Sequence, residues 1–251
     1  MKIDFEIPEN LIAASHFSGI YDVNRSTTLA NDDFMLVSEW ANSITALGLK
    51  GIIFHNNFSE KTCQLYQSNH IHFIKVDYQA PYNPNVFRYL IYAEFLQQCS
   101  SLIKNIFFTD ISDVKVLLNP FVEELYLNNT SSIFCGDEPK ILDNEWMQLH
   151  SQHLRSKISD YFVHETKFKN YTLLNCGIMG GAISIMHPFI KELSSIHQEF
   201  NTDNNTPYTG DMGAFNYLIN KKYREKLIHG RPVNTEFKSY SEDNSCWFKH
   251  K

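Results

Sequence analysis

The sequence predicts an α/β fold, a mainly parallel twisted sheet flanked by helices. Short apolar runs such as Ile52-Ile53-Phe54 and Ile106-Phe107-Phe108 have the length of buried strands. Between them, apolar residues recur at helical spacing, as at Phe34, Val37, Trp40, Ala41, Ile44 and Leu47. Strand, helix and strand in alternation require crossover connections, which leave neighbouring strands parallel.

Taken in order, residues 11–14 read as a strand ending at Ser15-His16, and residues 18–31 as a long polar loop. Asn31 or Asp32 can cap the helix that follows, and Gly48 closes it. Gly51 to Phe54 is a second strand and residues 71–76 a third. Asn83 can cap a helix with Pro84 at its first position; Phe87, Leu90, Ile91 and Phe95 form its apolar face, with Arg88 and Tyr92 beside it. Residues 103–108 form the next strand, and residues 132–135 another that ends at Gly136-Asp137-Glu138-Pro139. The strand ends at Ser15, Asn56, Asp110 and Gly136 should share one edge, where open α/β sheets bind ligands. In the second half, Leu173 to Ile185 carries Gly177, Gly180 and Gly181, which fit either a tightly packed bulged strand or a close approach of ligand to backbone. Helices are expected after Pro188 and from Thr209-Gly210-Asp211, where Asp211 is a cap or first-turn acid. Phe237, Trp247 and Phe248 should hold the tail against the body.

Composition narrows the function. A chain of 251 residues with 43% hydrophobic content is a well-cored globular protein, read here as one domain over 1–251. Its net charge of −6 argues against nucleic acid as a partner. Five scattered cysteines without a C-x-x-C pair point to neither a zinc ribbon nor a disulfide framework, and fit a reducing compartment. The start, MKIDFEIPEN, lacks the apolar core of a signal peptide, and no run is long enough for a membrane span.

Chemistry concentrates at Thr109-Asp110-Ile111-Ser112-Asp113. Two carboxylates leaving one strand repel each other unless a cation lies between them or one is protonated. The alternative is that Asp110 ends the strand and Asp113 caps the next turn. Three further features follow it in order: Asn175-Cys176-Gly177-Ile178-Met179-Gly180-Gly181, then Gly210-Asp211-Met212-Gly213-Ala214-Phe215, and a tail with His229-Gly230 and Trp247-Phe248-Lys249-His250-Lys251.

This ordered set resembles the GT-A fold glycosyltransferases, in particular the group with a D-x-x-D acidic motif found in procollagen glycosyltransferase domains and many small bacterial enzymes. The resemblance implies a single GT-A, Rossmann-like domain whose nucleotide-binding half is about 1–125 and whose sugar and acceptor half is about 126–251. It implies a divalent metal cofactor on Asp110 and Asp113, with His250 as third ligand. Mixed oxygen and imidazole ligands suit manganese better than calcium, and magnesium is second in line. Lys251 would add a positive contact. Ser15 and His16 would seat the base and ribose. Arg25 and Arg88 would contact the diphosphate or Asp110, with Thr109 beside them and His229-Gly230 approaching the phosphates. Asn175, Gly177, Gly180 and Gly181 would line the donor sugar. Asp211, with Glu138 as second candidate, would serve as general base if the reaction inverts or steady a cationic sugar if it retains. The remaining histidines belong to no such set.

The implied activity is metal-dependent transfer of a hexose from a nucleotide-diphosphate sugar, with UDP as the commonest base, to a saccharide or lipid-linked acceptor in surface polysaccharide synthesis. The implied place is the cytoplasm, peripheral at the inner membrane face. Two alternatives stand beside it: a catalytically inactive sugar- or partner-binding relative, and a sugar-nucleotide nucleotidyltransferase. The second needs a glycine-rich phosphate loop after the first strand, where only Gly19 occurs. A dehydrogenase would need G-x-G-x-x-G, which is absent.

Overall fold

A computed structural model describes residues 1–22, 26–79, 82–201, 210–239 and 243–251. Strand β1 is Asn10–His16, with residues 11–14 wholly buried. A small ribbon of β2 (Tyr21–Asp22) and β3 (Thr27–Thr28) leads to helix α1, Met35–Ala46. This helix starts later than a cap at Asn31 or Asp32 requires. The Met35 amide donates to Asp33 Oδ1, while Asp32 Oδ1 accepts from the Ser59 amide. Strand β4 is Gly51–His55, α2 is Glu60–Tyr66 and β5 is Ile71–Lys75. Helix α2, capped by Ser59, buries no side chain, so the sequence carries no apolar stripe to announce it. Helix α3, Pro84–Cys99, starts as expected, with Asn83 capping and Pro84 at its first position.

Strand β6 (Asn105–Thr109) and short β7 (Val114–Val116) precede a 3-10 turn at Pro120–Val122, capped by Asn119, and the short α4 (Glu124–Leu127). Strand β8, Ile133–Ile141, runs through Gly136-Asp137-Glu138-Pro139 instead of ending there. Three short helices follow, α5 (Glu145–His150), α6 (Gln152–Lys157) and α7 (Tyr161–Phe168), then β9 (Thr172–Ala182). Helix α8, Ile183–Phe200, begins before Pro188 and contains it. Helix α9 is Asp211–Leu218, and β10 (Leu227–His229) and β11 (Phe248–His250) complete the chain.

Among the described residues the main sheet has the order β10-β8-β9-β6-β1-β4-β5. Its pairings are parallel except at β9, which runs antiparallel to both β6 and β8. The mainly parallel sheet flanked by helices is therefore the expected one, with a single strand reversed. Helices α3, α8 and α9 cover one face over Tyr89, Phe95, Phe189 and Phe215. Helix α1 and a separate β7–β11 ribbon lie on the other, over Trp40, Phe107, Phe134, Trp247 and Phe248. The tail is thus folded into the core, as its aromatics predicted. No helix among the described residues is long and apolar enough to cross a membrane.

Candidate functional site

The acidic turn and the tail meet because β7 and β11 pair. Their register sets His250 opposite Val114, and the Lys251 amide donates to the Asp113 carbonyl at 2.8 Å. On the other side the Asp110 amide donates to the Gly177 carbonyl at 2.7 Å. His250 Nε2 then lies 3.8 Å from Asp110 Oδ2 and 3.9 Å from Asp113 Oδ2. These separations exceed hydrogen-bond reach, yet the three ligand atoms lie within 4.8 Å of one another. His250 is only 2% exposed, with its ring against Phe237. Burial lowers its pKa to about 4 despite Asp110, with Arg88 and Lys238 acting in the same direction. The imidazole is therefore neutral at pH 7, the form that ligates metals. The donor set fits a divalent cation, and Gly177 leaves it room. A Cβ there would meet Asp110 Oδ2 at 2.5 Å and His250 Cε1 at 2.6 Å.

Arg88 stands at the centre of the arrangement. Its Nη1 binds Asp110 Oδ1, and Nη2 donates to Asp211 Oδ2 and Tyr89 Oη, each at 3.2 Å, and to Cys176 Sγ at 3.4 Å. Burial opposes its charge, but Tyr89, Asp110, Cys176 and Asp211 together hold it cationic. Burial keeps the Cys176 thiol protonated. Asp211 opens α9 after Gly210, whose φ is +67°. Its Oδ2 accepts from Arg88 Nη2. Glu138 is buried; its Oε1 accepts from Asn175 Nδ2 at 2.9 Å and its Oε2 lies 3.5 Å from Lys140 Nζ. Asn175 Oδ1 in turn accepts from the Gly177 amide at 2.7 Å.

These groups line a cavity of about 350 Å³, to which Asn85, Trp146, Met212 and Lys238 also contribute. A second cavity of about 140 Å³, lined by Ser15, His16, Leu29 and Pro84, shares Asn85, Arg88, Asp110 and Asp113 with it. The two form one cleft at the carboxyl ends of β1 and β6, with the acidic turn between them.

The structure thus brings together Asp110, Asp113, His250, Arg88, Asp211, Glu138, Asn175, Gly177, Ser15 and His16. It sends others elsewhere. Thr109 is buried, its hydroxyl accepting from Trp40 Nε1 at 2.8 Å, so it ties the sheet to α1. Gly180 and Gly181 face the sheet's own packing. A Cβ on Gly180 would fall 2.2 Å from the Phe107 ring, and one on Gly181 2.6 Å from the Ser132 carbonyl. His229 Nδ1 contacts Asp137 Oδ2 at 2.9 Å, and Gly230, with φ of +73°, packs on the same carboxylate. The Lys251 ammonium pairs with Glu39. Arg25 lies outside the described residues. Sequence reasoning missed Asn85, Lys140, Trp146 and Lys238. Isolated polar or aromatic residues carry no periodic or motif signal, and only the fold aims them at the cleft.

No protein-family model and no curated protein sequence matches the chain. Solved structures do. The galactosyltransferase LgtC in complex with donor and acceptor sugar analogues is 12% identical with a TM-score of 0.52, covering 96% of this chain and 86% of that one. An active-site mutant of LgtC is 12% identical with a TM-score of 0.53 and the same coverage, 96% and 86%. At such identity the likeness establishes the fold, the GT-A fold, and not the reaction.

Proposed function

We propose that the chain is a metal-dependent glycosyltransferase that moves a hexose from a nucleotide-diphosphate sugar, UDP foremost, to a saccharide or lipid-linked saccharide in surface glycan synthesis. The observation that carries the reading is the convergence of Asp110, Asp113 and a buried, neutral His250 where the two cavities of a cleft meet in a GT-A fold. Residues 1–125 supply the nucleotide half and residues 126–251 the sugar and acceptor half. The protein works in the cytoplasm, peripheral to the membrane when its acceptor is lipid-linked.

Asp110, Asp113 and His250 hold the cation, manganese ahead of magnesium. Bound there, such an ion neutralises the charge that grows on a diphosphate as its bond to the sugar breaks. Ser15 and His16 seat the nucleoside in the smaller cavity. Arg88 fixes Asp110 Oδ1, leaving Oδ2 toward His250, and presents its charge to the diphosphate. Asp211 Oδ2, held by Arg88, or Glu138, held by Asn175, takes the proton of the acceptor hydroxyl in an inverting transfer. In a retaining transfer the same carboxylates face the cationic sugar.

The test is to incubate the purified chain with a panel of nucleotide sugars and manganese and to measure nucleoside diphosphate. Slow release that a chelator stops is expected. No release from any donor, together with no thermal shift by UDP plus manganese, would overturn the reading in favour of a non-enzymatic relative. Asp113→Ala and His250→Ala should each abolish metal-dependent UDP binding. Unchanged binding by His250→Ala would remove it from the ligand set.

A further inference from the structure

Of the three tryptophans, Trp40 and Trp247 are wholly buried, whereas Trp146 is 39% exposed. It stands on α5, whose start is fixed by Asn144 accepting from the Met147 amide at 3.0 Å. Its ring stacks on His150, one turn further along, with centroids 3.7 Å apart and planes inclined by 22°. Burial holds the His150 imidazole below its ordinary pKa, so the supporting ring is uncharged at pH 7. One face of the indole is thereby taken and its orientation restrained, while the residue borders the larger cavity beside Glu138, Lys140 and Met212. None of these four lines the smaller cavity that holds Ser15 and His16.

Singly exposed apolar rings are ordinary on protein surfaces. This one differs in being braced by a second ring at the rim of a polar cleft. A pyranose has an apolar C–H face and a belt of hydroxyls. An aromatic ring covers the first, and carboxylate and ammonium groups bind the second. Trp146 with Glu138 and Lys140 offers that combination. Because the two cavities meet at the acidic turn, a donor occupying both the nucleoside cavity and that turn leaves the Trp146 end for the second sugar. We propose that Trp146 is the acceptor platform, stacking on the pyranose ring of a saccharide acceptor and setting its angle toward Asp211 and Glu138. The proposal rests on the transferase reading for the identity of the saccharide as an acceptor, and on Trp146 itself for its binding.

All three tryptophans emit, but Trp146 is the exposed one, so the acrylamide-quenchable part of the emission reports on it. The full chain is titrated with maltose, cellobiose, lactose and methyl pyranosides while fluorescence and acrylamide quenching are followed. At least one saccharide should shift the emission and protect it from quenching. Trp146→Ala should weaken binding of that saccharide, measured by calorimetry, by about three- to tenfold, with Trp146→Phe in between. In transfer assays the same variants should raise the acceptor KM by the same factor and leave the nucleotide-sugar KM where it was. Equal unfolding temperatures exclude a folding defect. No emission change with any saccharide, or wild-type binding by Trp146→Ala, overturns the proposal. Absence of nucleoside diphosphate release from every nucleotide sugar would instead defeat the transferase reading, with the fluorescence titration still deciding whether Trp146 binds sugar.

Discussion

The two halves of strand β9 carry the same small residue for different reasons. At its midpoint, Gly177 lies against Asp110 and His250; further on, Gly180 lies under the Phe107 ring. What separates them is a break in register with β8. Met179 pairs with Cys135, but the next partner, Gly136, faces Asn175, so residues 176–178 bulge from the ladder. A bulge of this kind bends the strand and re-aims its groups. On the β6 side the register is unbroken through Thr109 and Ile178, and the Asp110 amide continues it by donating to the Gly177 carbonyl; on the β8 side the break sets Asn175 opposite Gly136, where its Nδ2 reaches Glu138. One run of glycines therefore serves a site in its first half and sheet packing in its second. Pairing register, and not residue type, decides which.

Substitution should split these roles. Gly177→Ala places a methyl between two side chains that can move apart, so the chain should stay folded while metal-dependent UDP binding falls about a hundredfold in calorimetric titration. Undiminished binding would remove Gly177 from the site half. Gly180→Ala sets a methyl 2.2 Å from the Phe107 ring and 2.7 Å from the Ile106 carbonyl. Overpacking of that kind costs about 1–3 kcal/mol, a fall in unfolding temperature of roughly 2–4 °C per kcal/mol for a chain of this size. Nucleotide binding by its folded fraction should persist. If Gly180→Ala abolished binding without loss of stability, the division of β9 would be wrong.

Acid tests the scaffold on which both halves rest. Burial first of all lowers the pKa of His55 and His164 to about 4 and that of His197 to about 3, against an ordinary 6.5. Below pH 6.5 the unfolded chain takes up protons that the folded chain refuses, so stability present above 6.5 is lost as pH falls toward 4. Denaturant unfolding at pH 7 and pH 5.5 should differ by roughly 1 kcal/mol per histidine. A flat profile would mean that these rings titrate as in free solution. The smallest effect belongs to Lys251, which pairs with Glu39 where both are partly exposed. Lys251→Ala should change stability by less than about 1 kcal/mol. A large loss of UDP binding in that variant would show that the ammonium leaves Glu39 for the ligand and so joins the site half.

Legibility followed locality. The buried strands, the Asn83-Pro84 helix start and the anchoring of the tail were readable because each depends on a few adjacent residues. The reversed direction of β9 was not, because the sequence between β8 and β9 gives three short helices with weak patterns and no sign of the edge to which they return. Thr109, His229 and Gly230 looked like site residues by their place in the chain, yet each is taken by a neighbour that only folding supplies: Trp40 for the first and Asp137 for the other two. Lys140, Trp146 and Lys238 reach the cleft from segments with no local signal at all.

The sequence alone determined that a buried strand would deliver Asp110 and Asp113 to a sheet edge, because apolar run length and mutual repulsion of carboxylates are properties of adjacent residues. The tertiary structure alone decided what they meet. Pairing of β7 with β11 carries His250 to them, Arg88 arrives from α3 to bridge Asp110 and Asp211, and β9 sets Gly177, with no side chain, in the space between. Those partners lie far apart in sequence, and contacts between distant residues are fixed by topology and register, which no local pattern encodes.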